Sequence, residues 1–183
     1  LGERISDILP ALGTHTPMET AELSRMFGRT PRTLFREHRW RTDIEELGRV
    51  PASFVSSVTG GRLNFDYPVQ VNRLLSSGGH DLIISVGQVV PHEVTGMANY
   101  NKNIFVGCGG NGMINSSHML GAFYGMERIM GKDHSPVRKV FDYAEEKFLA
   151  DIPLMYVLTV TTAQGTAINI HGLFIGRERR IFE

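Results

Sequence analysis

The chain predicts an α/β protein: a mostly parallel sheet with flanking helices, Rossmann-like, closed by a C-terminal hairpin. Three observations carry this. Asp81-Leu82-Ile83-Ile84-Ser85-Val86-Gly87 is apolar without alternation, the pattern of a parallel strand covered on both faces. Val137, Val140, Phe141, Ala144 and Phe148 recur at spacings of three and four, which puts one apolar stripe along a helix. Two further apolar runs, Leu154 to Val160 and Ala167 to Ile175, flank the turn pair Gln164-Gly165, as in a hairpin.

The other elements follow in chain order. Ile5, Ile8, Leu9, Ala11 and Leu12 form an apolar run, which Pro10 limits to a short strand entering the turn Gly13-Thr14-His15-Thr16-Pro17. A helix is predicted from Glu19 to Phe27, stopped by Gly28. Residues 29–48 are dense in arginine, but Glu37, Asp43, Glu45 and Glu46 offset the charge, and the stretch reads as a solvated segment with one short helix. Val50 to Val58 reads as a strand, Gly60-Gly61 as a turn, and Asn64 to Val71 as an extended piece entering a turn at Leu74-Leu75. Asn103 to Val106 reads as a short strand before the glycine-dense Gly107-Cys108-Gly109-Gly110-Asn111-Gly112. A helix from Ser116 to Met130 follows, with Met119, Leu120, Phe123, Met126 and Met130 on its core side. Ser135-Pro136 opens the next helix, with the proline where an N–H has no partner anyway.

Composition narrows the function. The length of 183 residues suits a single domain over residues 1–183. Lys plus Arg and Asp plus Glu are both 19, a net charge of zero, which gives no support to a nucleic-acid or membrane-surface partner. The one cysteine, Cys108, excludes an internal disulfide framework and a multi-cysteine metal site. No apolar run is long enough to span a membrane, and the opening Leu1-Gly2-Glu3-Arg4 lacks the pattern of a signal peptide. A cytoplasmic protein is expected.

Gly107, Gly109 and Gly112 match the spacing G-x-G-x-x-G, with Asp133 downstream, so a dinucleotide-dependent oxidoreductase is one reading. The short strand before the loop and the helix start after Asp133 weaken it. The seven histidines show no H-x-x-x-H pair, so a metal needs distant residues or a ligand supplied by a cofactor. Three histidines have special settings. His15 lies at the exit of the first strand and His92 at the exit of the best one, where each is placed to act as acid or base. His118 falls in the first turn of the glycine-loop helix, suited to a cation. Lys102 is the only lysine before residue 132, a nucleophile or anion contact beside the same loops. Taken singly, each also fits a surface or loop-stiffening residue.

The set resembles the N-terminal domain of the nickel-pincer lactate racemase family. The matching pieces, in order, are ALGTHTPM, VNRLL, DLIISVGQVVPHEVTG, the lysine of NYNK, the histidine of NSSH, and SPVRKVFDYAEE before a strand. The resemblance implies an isomerase that racemises or epimerises a 2-hydroxy acid by moving its α-hydride to and from a nickel-pincer nucleotide, a pyridinium mononucleotide with thioamide and thiocarboxylate sulfurs. It implies that Lys102 holds this cofactor covalently, that His118 ligates nickel, and that His15 and His92 are the paired acid–base groups. The pattern also departs from the family. Asn99-Tyr100 stand where the family run has glycines, with Tyr100 expected to reshape the cofactor site. Val106-Gly107 replaces a Pro-Gly, and Thr16 an arginine. Against the family pattern the chain lacks an earlier phosphate-holding loop and a C-terminal domain, so no turnover is expected of this chain alone. A non-catalytic nucleotide-binding or regulatory relative stays open beside this reading.

Overall fold

The computed structural model describes residues 4–165 and 167–183. Leu1 to Glu3, and with them most of the signal-peptide reading, lie outside the described residues. The first helix, α1 (Thr20–Phe27), starts on a capping box in which Glu19 and Glu22 satisfy each other's backbone N–H groups. In place of the strand expected at Ile5 to Leu12 there is a single bridge, Ile8 to Phe35. Residues 29–48 hold a short 3-10 turn at Arg32–Leu34 and the start of β1 (Ile44–Val50).

The strand expected at Val50 to Val58 is instead a helix, α2 (Ala52–Val58). Pro51 has no N–H to give a ladder, and its carbonyl accepts the first helical bonds from Phe54 and Val55. Asp66 accepts from the Ala52 N–H at 2.9 Å and closes that helix start. The chain returns as β2 (Tyr67–Asn72), antiparallel to β1, and ends in the short α3 (Arg73–Ser76).

The expected mostly parallel, Rossmann-like sheet is not what forms. Among the described residues there are three small sheets. Only β3 (Ile83–Gln88) and β6 (Leu154–Gln164) pair in parallel; β1–β2, β4 (Pro91–His92) with β5 (Gly96–Met97), and β6 with β7 (Ala167–Gly176) are antiparallel. The reason is connection length. A parallel pair needs a long crossover, and the segment from Gln88 to Leu154 supplies one. The other strands are joined by turns or by one short helix, which return the chain antiparallel.

That crossover carries the remaining elements. The stretch expected as a strand at Asn103 to Val106 is a π-helical turn, Asn103–Gly107, closed by the Cys108 N–H on the Asn103 carbonyl. Next come α4 (Asn111–Tyr124), α5 (Met126–Ile129) and α6 (Pro136–Phe148). Gly125 at φ +104° separates α4 from α5. The core side expected for the methionine-rich helix is only partly buried: Leu120 is buried, but Met119, Phe123, Met126 and Met130 are exposed, Phe123 by 66%.

The core gathers Tyr67, Val69 and Val71 of β2, Ile104 and Phe105 of the π-turn, Met113 and Leu120 of α4, the stripe of α6, and Tyr156 and Leu158 of β6. Phe105 and Phe141 meet at 5.5 Å between ring centroids. Truncating either to alanine removes about 3–5 kcal/mol. The three-stranded sheet covers only one face. Ser85, Tyr156 and Leu158 point inward, while Ile84 and Val86 are exposed on the other side.

Candidate functional site

Three of the four candidate residues, His92, Lys102 and His118, lie on the β4–β5 hairpin, at the start of the π-turn and on α4, while His15 lies apart on the turn before α1. His92 ends β4 and pairs with Gly96. Its Nδ1 accepts the Val94 N–H at 3.1 Å, so in the neutral ring the proton is on Nε2. Burial is the main force lowering the His92 pKa, followed by the charge of Lys102; Glu93 opposes, and His118 and Arg138 lower it further. Lys102 directly precedes the π-turn, as its N-cap. Its pKa is lowered first by burial and then by Arg138, with Glu93 opposing. His92 is thus the group on which the charges of Lys102, Glu93, His118 and Arg138 all act.

His118 is the eighth residue of α4, not part of its first turn. The helix dipole is thus not what prepares it. Instead its Nδ1–H donates to the Ile114 carbonyl at 2.7 Å. That fixes the tautomer and leaves Nε2 with a lone pair on an exposed ring, the usual device for orienting a histidine ligand. His15 follows the turn at Gly13, whose N–H donates to the Gly107 carbonyl at 2.8 Å. A Cβ built at Gly13 meets the Val106 carbonyl and the Ile114 side chain. The His15 turn is thereby set against the end of the π-turn and one helical turn before His118, with the His15 ring exposed.

The Met97–Asn101 loop leading to Lys102 is unusual. Asn99 and Tyr100 hold φ of 64° and 54°, the left-handed region that glycine adopts freely and tyrosine resists. The Asn99 side chain folds back to cap the Tyr100 N–H at 2.9 Å and to accept from Asn103 at 2.8 Å. A Cβ on Gly87 would collide with that amide. The Tyr100 side chain turns into the core. Its ring is buried, stacked on Phe182 at 5.2 Å and tilted on Tyr156 at 4.4 Å, and its hydroxyl donates to the Arg177 carbonyl.

The glycine loop is packed, not open. Gln70 Oε1 accepts the Gly112 N–H at 2.9 Å and the Met113 N–H at 3.3 Å. A Cβ at Gly109 would lie 1.9 Å from the Phe105 carbonyl, and one at Gly110 would meet Gln70 and Ile44. The donors that a pyrophosphate would use are taken, which removes the basis of the dinucleotide reading. Cys108 is buried, and burial pushes its thiol up to about 12, so it is no nucleophile. Among the described residues no group of three or more His, Cys, Asp or Glu side chains could hold a metal ion. A metal with His118 as its one protein ligand does not require such a group.

Sequence reasoning missed Glu93 and Arg138. In the sequence Arg138 and Glu145 only share a helical face with Phe141 and Phe148, a pattern that by itself reads as a solvated edge; the structure buries both.

Comparison with known proteins then places the chain. Residues 3–130 match the model of the lactate racemase N-terminal domain. The chain belongs to the lactate racemase N-terminal domain family. A solved structure of a Thermotoga maritima protein aligns over 95% of this chain with a TM-score of 0.84 and 28% identity. The lactate racemase apoprotein from Thermoanaerobacterium thermosaccharolyticum aligns over 93% with a TM-score of 0.68; at 20% identity it speaks for the fold alone. The chain spans 44% of the first protein's length and 37% of the second's. Among curated proteins nothing matches. No helix among the described residues is long and apolar enough to cross a membrane.

Proposed function

We propose that this chain is the cofactor-holding part of a racemase or epimerase of a 2-hydroxy acid. The observation that carries the reading is that, in a chain of this family, the charges of Lys102 and His118 both bear on a half-buried His92. The donor set fits a nickel-pincer nucleotide. Lys102 has burial and Arg138 holding its amine toward the neutral, nucleophilic form, which suits a covalent link. His118 offers one nitrogen lone pair with its other nitrogen anchored on Ile114, which suits a single protein ligand on a metal otherwise held by the cofactor. When bound, that group supplies the acceptor and donor of the substrate's α-hydride.

The chain's own residues then handle protons and position. His92 and His15 are the acid–base pair, one for each enantiomer's hydroxyl. His92 as placed presents Nε2–H, a donor to the oxygen of a 2-keto or 2-hydroxy acid. To take up a hydroxyl proton at Nε2 it must release the Val94 N–H and change tautomer, so a small movement of the Glu93–Thr95 turn belongs to its cycle. The substrate's identity and a further domain that closes on it belong to the longer protein of which this chain is proposed to be a part.

The test is the denatured intact mass of the native protein made with nickel and the enzymes that build the racemase cofactor, followed by peptide mapping. We expect an adduct on Lys102, lost in Lys102→Arg. An unmodified mass, with a lactate racemase loaded in the same cells as control, overturns the reading.

A further inference from the structure

Arg138 is the largest fully buried side chain among the described residues. Its guanidinium donates to the Met97 and Asn99 carbonyls and to the Asn101 side chain. Asn101 in turn donates to Asp142 at 2.7 Å. The guanidinium carbon lies over the Phe182 ring, 4.5 Å from its centroid, the ring on which Tyr100 also stacks. One side chain of α6 thus grips three groups of a five-residue loop that ends immediately before Lys102.

We propose that Arg138 is a positioning residue for Lys102: its buried guanidinium pins the Met97–Asn101 loop in its left-handed course and so fixes where the Lys102 amine is presented. This rests on the reading of Lys102 as the attachment point. Two observations support it. A tyrosine at φ 54° persists only where its surroundings over-determine the backbone, and the bonds from Arg138 lie on either side of that residue. A buried, incompletely paired charge is also a poor means of stabilising a core, and the Arg138 Nε meets no partner. The charge has a second use. After burial, the Arg138 guanidinium on α6 is the charge that disfavours an ammonium at Lys102, with Glu93 of the β4 turn opposing it and the charge of Lys102 acting in turn on His92.

The experiment is trace labelling of the whole chain with acetic anhydride across pH 6–11 (an experimental range on the order of five units), with peptide mapping at Lys102 and at exposed lysines as internal reference. It is paired with amide hydrogen exchange of residues 99–103. In Arg138→Met the midpoint of Lys102 labelling rises by about half to one pH unit. In Arg138→Lys, which keeps the charge but not the fork, the midpoint holds while exchange in the loop speeds by roughly tenfold or more. If Arg138→Met does not fold, Arg138→Lys decides through loop exchange. A purely structural role lowers the melting temperature and leaves the Lys102 profile and loop protection as in the wild type. That result in a folded variant overturns the proposal. Because labelling needs no cofactor, a missing adduct in wild-type protein sinks the functional reading and is told apart from this one.

Discussion

His38 shows at residue scale how one side chain joins two segments. It is buried, its Nε2–H donates to the Gly109 carbonyl at 3.0 Å, and its Nδ1 accepts from the Asn72 amide at 3.1 Å. It thereby ties the glycine loop to the end of β2. His38→Ala strips both bonds and leaves two buried polar groups unpaired, a loss of about 2–4 kcal/mol. Urea unfolding reads this as a lower midpoint at unchanged slope; a loss below about 0.5 kcal/mol contradicts it. The same scale shows what the sequence conveys about a site. The proposed site residues Lys102, His92 and His118 stand out in the sequence because each is a chemically capable residue in a loop or helix that short motifs delimit. Arg138 does not, since a charged residue beside an apolar stripe reads as solvated until the packing of α6 against the Met97–Asn101 loop is known. The tautomers of His92 and His118 were equally hidden, because they depend on carbonyl and N–H directions.

At the scale of elements, the glycine-rich segment misled most. Its spacing satisfies a phosphate-loop pattern, yet its glycines serve close packing around the π-turn and Gln70. Two substitutions separate these causes. Gly109→Ala drives a Cβ to 1.9 Å from the Phe105 carbonyl, and backbone does not yield cheaply, so it costs about 3 kcal/mol or more. Gly131→Ala meets nothing within 4 Å but holds φ of 79°, so only the left-handed penalty of about 1–2 kcal/mol remains. Thermal melts of the two variants should therefore differ clearly, with Gly109→Ala the lower. Equal melting temperatures count against the packing account. The π-turn itself has no period that an apolar run of four residues reveals, which is why Asn103 to Val106 reads as a strand. The mistaken strand at Val50 to Val58 has a similar cause: β-branched residues outweigh the signal of Pro51 until the Asp66 cap is seen.

For the whole molecule, strand direction was the property least legible, because it is set by where each connection sends the chain and not by the strands' own residues. The two-sided apolar run at Ile83 to Val86 forms a strand with one face bare, in a chain that spans less than half of its solved relatives. The pH dependence of stability is likewise a property of the whole, since buried groups of opposite sign compete. Burial lowers the pKa of His38 and of His92, so the folded state binds their protons less readily than the unfolded chain. That contribution is lost as pH falls through the unfolded value of about 6.5. Glu145 runs the other way. Burial pushes its carboxyl up to about 6, so the folded state is destabilised as pH rises from the unfolded value of about 4.3 through that point. Its nearest groups are Tyr156, Asn101, Arg177 and Asp142, and only the arginine favours the ionised form by its charge. Wild-type stability should therefore rise only gently with pH between about 4.5 and 6, where the two effects oppose. Glu145→Gln removes one of them. The variant should be more stable by about 1–2 kcal/mol at neutral pH, and the gain should vanish toward about pH 4, where Glu145 is protonated in both states. Urea unfolding of both proteins across this range tests it. A gain that does not change with pH assigns the effect to packing and not to the buried charge.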